Sequence, residues 1–403
     1  MRTPQGLDID LMDGAFYGGD PYPAFAWLRE HDPVHFDEHN GLWGVATYEL
    51  VRSVSTDPDT FSNAGGSRPC VAPVPMMIDF DAPEHVRRRR LVSAGFTPRR
   101  VRELEDRVRG VCDWVIDQVC ERGSCDFVSD VAAPLPLIVI GDMLGVAPED
   151  RADVLAWSDD LLRGQGTDDP VVLETMMQAF VHYADYIRPI IEDRRRTGRQ
   201  DDLVGVLVHA EIDGDRLDET SVVHETLLIL IGGDETTRHV ISGGMAELQR
   251  HPEQRAQLLS SPVGVPRAVE EMLRWVTPIQ TMARTATRDV ELAGRQIEAG
   301  QEVVLLYPSA NRDEAVFERA DRFDVTRDPN PHVAFGFGPH FCLGNQLARL
   351  ELKVMFEQLL ARLPDLRVVE GAPLPRRQAS FVTGIETMPV VFSPTERVGA
   401  AAP

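Results

Sequence analysis

The stretch FGFGPHFCLG, residues 335–344, sets one cysteine among glycines and aromatics in a chain that has only four others. A buried spectator thiol is the commonest fate of such a residue, and a nucleophile or metal ligand is the sharper one. Glycines at 336, 338 and 344, with the helix-like NQLARLELKVMFEQLL beyond, put Cys342 in a tight loop that feeds a helix N-terminus. Backbone N–H groups and the helix dipole there favour thiolate over thiol. Packed by Phe335 and Phe341, such a thiolate suits a soft metal.

Three further stretches carry chemical groups at meaningful spacing. In SVVHETLLILIGGDETTRHVISGGMAELQR, residues 221–250, an apolar helical run is interrupted by Gly232 and Gly233 and followed by Asp234, Glu235, Thr236 and Thr237. Each glycine costs a helix roughly 1 kcal/mol relative to alanine, and a threonine can bond back to a carbonyl one turn earlier. The pattern means either a helix break at a close crossing or a place where a flat ligand reaches the backbone and an acid and a hydroxyl deliver a proton. In EEMLRW, Glu271 and Arg274 are three apart and so neighbours on a helix; on a surface that pair is worth a few tenths of a kcal/mol. In DAPEHVRRRRLVSAGF, His85 and Arg89 fall on one face of a helix predicted from near Pro83, where two donors suit a carboxylate and a solvated basic face is the plain alternative.

These groups must be held by mostly helical elements. Residues 99–121 place Val101, Leu104, Val108, Val111, Val115 and Val119 on one stripe. Similar periodicity near 149–163, 171–197, 219–250, 253–259, 264–275 and 343–362 predicts further helices. Strand-like alternation is confined to VHF, LWGVAT, VELAG and EVVLLY, with a hairpin expected around 380–392. The fold class is mainly α with a minor β portion. Glycines and prolines, 31 and 29 of them, are scattered without a linker. One domain over residues 1–403 is expected, ordered from about 8 to 394, with a flexible tail over 395–403.

A net charge of −23 argues against a nucleic-acid partner, whose phosphates need a basic face. Lys353 is the one lysine, so nearly all positive charge is arginine. The N-terminus lacks the apolar core of a signal peptide, and no run reaches the roughly 18 apolar residues of a membrane span. A cytoplasmic protein without a membrane anchor is expected. Cys70, Cys112, Cys120, Cys125 and Cys342 lack metal-site spacing among themselves and fit a reducing compartment.

In order and internal spacing, the four stretches resemble the cytochrome P-450 superfamily of heme-thiolate monooxygenases, from about residue 20 to residue 393. FGFGPHFCLG fills every fixed position of the family's heme loop, Phe-x-x-Gly-x-x-x-Cys-x-Gly. The resemblance implies the family's triangular prism of helices with small sheets, holding heme b between the central helix and the cysteine loop. It implies Cys342 as the axial thiolate, Phe335 shielding its sulfur, Gly338 turning the loop, and Gly344 letting the next helix approach the porphyrin. His340, His85, Arg89 and Arg284 match the partners of the heme propionates. Glu271, Arg274 and Arg322, the last in ADRFD, resemble the buried Glu-Arg-Arg triad that fixes the approach to the cysteine loop. Gly232 and Gly233 would leave room for dioxygen and substrate, and Glu235 and Thr236 match the acid-alcohol pair that relays protons for O–O cleavage.

The chain has no flavin or iron–sulfur motif, so electrons would come from NAD(P)H through a ferredoxin reductase and an acidic ferredoxin. That ferredoxin would dock on a basic patch of Arg99, Arg100, Arg102, Arg349 and Lys353. SNAGGSRP, PMMIDFDAPEH, LLILIGGDETTRH and SFVTGIETMPVVF look like bacterial enzymes that hydroxylate the terminal methyl of the cholesterol or cholestenone side chain. TPIQTMART and the segment 164–177 depart from them. Met76, Met77, Leu230, Ile279, Met282 and Val382 would line an apolar pocket suited to a branched hydrocarbon tail. Within the same fold the alternatives are a hydroxylase of a macrolide, terpenoid or fatty acid; outside catalysis, a heme sensor or carrier.

Overall fold

Helix boundaries follow their caps. The computed structural model describes residues 9–163, 169–212 and 214–403. Of the segment 164–177, residues 164–168 lie outside the described residues. The helices that matter below are α1 (Tyr48–Thr56), α2 (Glu84–Ser93), α3 (Pro98–Glu103), α4 (Glu105–Asp117), α5 (Pro134–Leu144), α6 (Pro170–Thr197), α7 (Glu219–Arg250), α8 (Val265–Val276) and α9 (Asn345–Arg362). Thr47 caps α1 by accepting from the Leu50 amide, Asp169 caps α6 through Val171, and Asp218 caps α7 through Ser221 at 2.7 Å. Gly145 and Gly198 end α5 and α6 in the left-handed conformation that glycine adopts without penalty.

The chain folds into two compact units. One comprises residues up to Val74, Ser242–Cys342 and Pro373–Met388. It is built on a five-stranded sheet whose strands in chain order are β1 (Val34–Asp37), β2 (Leu42–Val45), β3 (Phe61–Ser62), β4 (Thr281–Ala286) and β5 (Glu302–Leu306), in spatial order β1-β2-β5-β4-β3. Only β2 and β5 run parallel. The unbroken apolar run of β5 has a simple cause: Val303 and Leu305 pack into one core cluster while Val304 and Leu306 pack into another, so both faces are covered. The expected hairpin over 380–392 does not form. Ile279 bridges Val382 and Arg376 bridges Ile385 within this unit, whereas Pro389–Val391 pairs with Ser124–Asp126 and Arg367–Val368 in the other.

The second unit, Pro75–Ile241, Leu343–Ala372 and Pro389–Pro403, is helical. The stripe expected as one helix over 99–121 is divided at Leu104 into α3 and α4, and α4 ends at Asp117. Helix α5, PLPLIVIGDML, has no amphipathic stripe because it is buried nearly all round, and periodicity alone could not announce it. The terminal stretch 395–403 has no helix or strand, and the amides of Val398, Gly399 and Ala400 each donate to the Asp117 carboxylate at 3.0 Å.

Glu351 of α9 lies in the interior of this unit, where burial first and the Asp234 carboxylate second push its carboxyl up to about 8. Between the ordinary glutamate value and that point, the folded chain holds a proton that the unfolded chain releases. This group's contribution to stability therefore falls as pH rises through the window. In urea unfolding, the stability advantage of Glu351→Gln over the parent should grow between pH 5 and 8 by up to about 1.4 kcal/mol per unit. A pH-independent difference would show that the carboxyl titrates normally in the fold.

Candidate active site

The cysteine loop belongs to the sheet-containing unit. Gly336 and Gly338 have positive φ of 70° and 75°. A Cβ on Gly338 would also meet the Ser55 carbonyl oxygen of α1 at 2.3 Å, so this position admits only glycine. The chain makes a 3₁₀ turn over Gly338–His340, and the Cys342 amide donates to the Phe335 carbonyl at 2.9 Å, closing the loop. The rings of Phe335 and Phe341 meet edge to face at 6.2 Å, and the Arg52 guanidinium covers Phe337 at 4.2 Å. Cys342 and His340 are half-buried. Arg284, buried on β4, donates to the Ala283 carbonyl at 2.7 Å.

The approach to the loop is held by a buried charge cluster. Glu271 and Arg274 on α8 are both fully buried and joined by two bonds of 2.7 and 2.8 Å. Arg274 also donates to the carbonyls of Asn311, Ala320 and Arg322. Glu271 accepts from the Asp324 amide, Asn330 and Arg327. The third arginine is thus Arg327, 3.2 Å from Glu271, and not Arg322. Arg322 is an exposed residue that offers the cluster its backbone carbonyl, while the turn after Asp324 brings Arg327 back over the carboxylate. A neighbour missed in the sequence, Glu270, binds His332 Nε2 at 3.1 Å, and His332 Nδ1 accepts the Ala334 amide, which puts the ring proton on Nε2.

The helical unit supplies the other groups. Along α7, Thr226, Leu230 and Asp234 are wholly buried, while Leu228, Gly232 and Thr236 form a more open stripe. Leu230 therefore lies on the core side, turned away from this stripe, and Leu228 lies on it. A Cβ on Gly232 would meet nothing within 4 Å, but one on Gly233 would come 3.1 Å from Ile140 of α5. Open space and close packing divide the glycine pair. Thr236 Oγ1 donates back to the Gly232 carbonyl at 2.8 Å. Glu235 points elsewhere: it is fully buried, paired with Arg238 and 3.3 Å from His239. Against the cost of burial, His239 and the neighbouring Arg238 and Asp159 hold its carboxyl well below the ordinary range. The acid and the alcohol are adjacent in sequence and faced apart by the helix.

On α2, His85 is buried with Arg89 one turn on. Burial and then the Arg89 charge push the imidazole pKa down from its ordinary value. Met76 and Met77 enter a short 3₁₀ turn and are buried, as is Val382; Ile279 and Met282 are partly buried against the sheet core. Of the basic patch, Arg99 pairs with Glu103 and Lys353 with Glu105 and Glu357, Arg349 donates to Asn345, and Arg102 is exposed.

These groups fit a heme. In the sheet-containing unit Cys342 is a soft donor and Arg284 and His340 are of the kind that bind a propionate; in the helical unit His85 and Arg89 are of the same kind, and a Cβ at Gly344, like one at Gly232, would enter empty space. The family model Cytochrome P450 matches residues 170–260 and 265–386. This chain belongs to the cytochrome P450 family. It is a monooxygenase of mainly helical fold with small sheets, and its cofactor is heme b with an axial cysteine. This P450 is 52% identical over 395 residues to the steroid C26-monooxygenase of Mycobacterium tuberculosis (strain H37Rv), covering 97% of this chain and 99% of that one. It is 50% identical over 393 residues to the enzyme of the same name from Mycolicibacterium smegmatis, covering 97% and 98%. Among solved structures, the Bacillus megaterium P450 in complex with testosterone has a TM-score of 0.84 at 32% identity, covering 93% of this chain and 99% of that one. No helix among the described residues is long and apolar enough to cross a membrane.

The geometry separates two arginines five residues apart. Arg327→Ala should cost on the order of 3 kcal/mol and speed heme loss, because it uncovers a buried carboxylate, whereas Arg322→Ala should stay within about 0.5 kcal/mol. Chemical unfolding of the holoenzyme and transfer of heme to apomyoglobin would measure both. Equal losses in the two variants would return Arg322 to the cluster.

Proposed function

We propose that this P450 hydroxylates the terminal methyl of a sterol side chain, with cholest-4-en-3-one as the type of substrate. The observation that carries the reading is 50–52% identity over 97% of the chain to steroid C26-monooxygenases. The apolar character of Met76, Met77, Leu228, Ile279, Met282 and Val382 supports it, since a pocket of such residues accepts hydrocarbon and disfavours an ionised group.

In this reading Cys342 is the axial ligand, and the whole chain serves as one catalytic domain. Heme supplies the binding and activation of dioxygen. Arg284, Arg89, His85 and His340 hold the propionates. Thr236, on the open stripe beside Gly232, positions the hydroxyl that passes a proton toward dioxygen. Glu235, once its carboxylate leaves Arg238 and takes up a proton from water, passes that proton to Thr236, so the ion pair acts as a latch on proton delivery. The electrons come from a ferredoxin and its NAD(P)H-dependent reductase in the cytoplasm. The docking face is the α3 and α9 surface with Arg99, Arg100, Arg102, Arg349 and Lys353, where the exposed Arg102 carries more of the attraction than Arg99 and Lys353, whose charges are already partnered.

Cholest-4-en-3-one should shift the ferric heme to high spin and yield a terminal alcohol, while a steroid lacking the side chain should bind at least about tenfold more weakly. Preference for a methyl-branched fatty acid over the sterol would move the enzyme toward the methyl-branched lipid omega-hydroxylase of Mycobacterium tuberculosis, to which it is 37% identical. Cys342→Ser should abolish the red-shifted Soret band of the reduced carbon monoxide complex. Thr236→Ala should keep that band and substrate binding but divert electrons to hydrogen peroxide, and unchanged coupling would remove Thr236 from the relay.

A further inference from the structure

Glu225 stands seven residues before Gly232 and eleven before Thr236 on α7. At 100° per residue these offsets return to within about 20° of the same direction, so Glu225, Gly232 and Thr236 share one face. With a rise of about 1.5 Å per residue, Glu225 lies about 10 Å up the helix from Gly232. A carboxylate does not belong on an apolar face, and this one has no exposure at all. Its Oε1 accepts from the Met77 amide at 2.9 Å and from Arg88 Nη1 at 3.0 Å.

Arg88 reaches the same segment from α2. Its Nη1 also donates to the Pro75 carbonyl at 3.1 Å, its guanidinium lies over the Phe80 ring at 4.6 Å, and its Nε is held by Glu84 at 2.6 Å. Segment 75–80 is therefore gripped at its start, its middle and its end by one buried ion pair. Helix α7 does not need that grip to start, since Asp218 caps it through the Ser221 amide. What the pair fixes is Met76 and Met77.

We infer that the Arg88–Glu225 pair is a specificity clasp: it seats the Met76–Met77 turn over the open stripe of α7 and so sets the length and width of the channel that takes the branched aliphatic tail of the substrate. Glu225 and Arg88 are positioning residues that act through the methionines. The inference rests on the proposed function for the identity of the tail, but not for the existence of the clasp.

The test uses the heme-loaded full chain. Breaking one partner leaves a buried charge, so the informative variant is the double substitution Glu225→Met with Arg88→Met, which replaces the pair by apolar groups of similar volume. Glu225→Gln is the conservative control, keeping an acceptor for the Met77 amide. An intact reduced carbon monoxide band shows that each variant is folded. Hydrogen exchange of the peptide spanning 75–80, without substrate, should rise at least about tenfold in the double variant and less than about threefold in Glu225→Gln. The dissociation constant of cholest-4-en-3-one should rise by about the same factors, and hydroxylation should spread from the terminal methyl to neighbouring carbons. Unchanged exchange overturns the clasp. Raised exchange with unchanged affinity and a single product overturns its role in specificity. Failure of the sterol reading is seen separately, as no spin shift in the parent; affinity and product position are then scored with 15-methylhexadecanoic acid, and the same outcomes decide.

Discussion

Two opposite charges with no access to water, Glu271 and Arg274, set the path of the chain that leads to the cysteine loop. Desolvating both is expensive, and the expense is offset only if every lone pair and N–H finds a partner. The structure meets that condition with the carbonyls of Asn311, Ala320 and Arg322, the amide of Asp324, and the side chains of Arg327 and Asn330. Each partner is a point on the meander leading to the cysteine loop. A segment without helix or strand thereby acquires a fixed path. The pair's net stabilising value is small beside this: its function is to make one loop geometry the only satisfied one.

The central helix obeys a different constraint, the 100° step between neighbours. Gly232, Gly233, Glu235 and Thr236 are nearly consecutive, yet the step sends them to an open stripe, an Ile140 contact, a buried ion pair and the stripe again. A site that needs space, close packing, a carboxylate and a hydroxyl within 10 Å can be written in five residues only because a helix distributes them. The separation of Glu235 from Thr236 has a chemical corollary. An ionised carboxylate carries no proton to give, and its ion pair opposes taking one up, so in the proposed relay proton supply and side-chain motion are coupled.

Much of this was legible in the residues. The cysteine loop announced itself by a cysteine, three phenylalanines and three glycines, and Gly338 proved to be required by a backbone oxygen of α1. The long helices were visible wherever one side was polar. What escaped had physical reasons. Helix α5 is apolar all round, so no period marks it. Arg322 and Arg327 sit in irregular chain, where spacing carries no directional information, and only the folded turn selects between them. Leu228 and Leu230 are both leucines in a leucine-rich run, and phasing them needed the position of Gly232. The pairing of Lys353 with Glu105 spans 248 residues and could not be read locally. By contrast, the Glu235–Arg238–His239 latch was present in the i, i+3, i+4 spacing and could have been read.

That lysine has a practical corollary. Lys353 is the chain's sole lysine, and its side chain is about one-third exposed on α9 between Glu105 and Glu357. Any amine-directed dye, crosslinker or resin that reacts with a side chain must attach at this one point. Side-chain labelling would therefore be confined to one site, molecules immobilised through it would share an orientation, and that site would sit on the surface proposed to receive electrons. Salt, which loosens its two ion pairs, becomes the control over how readily it reacts.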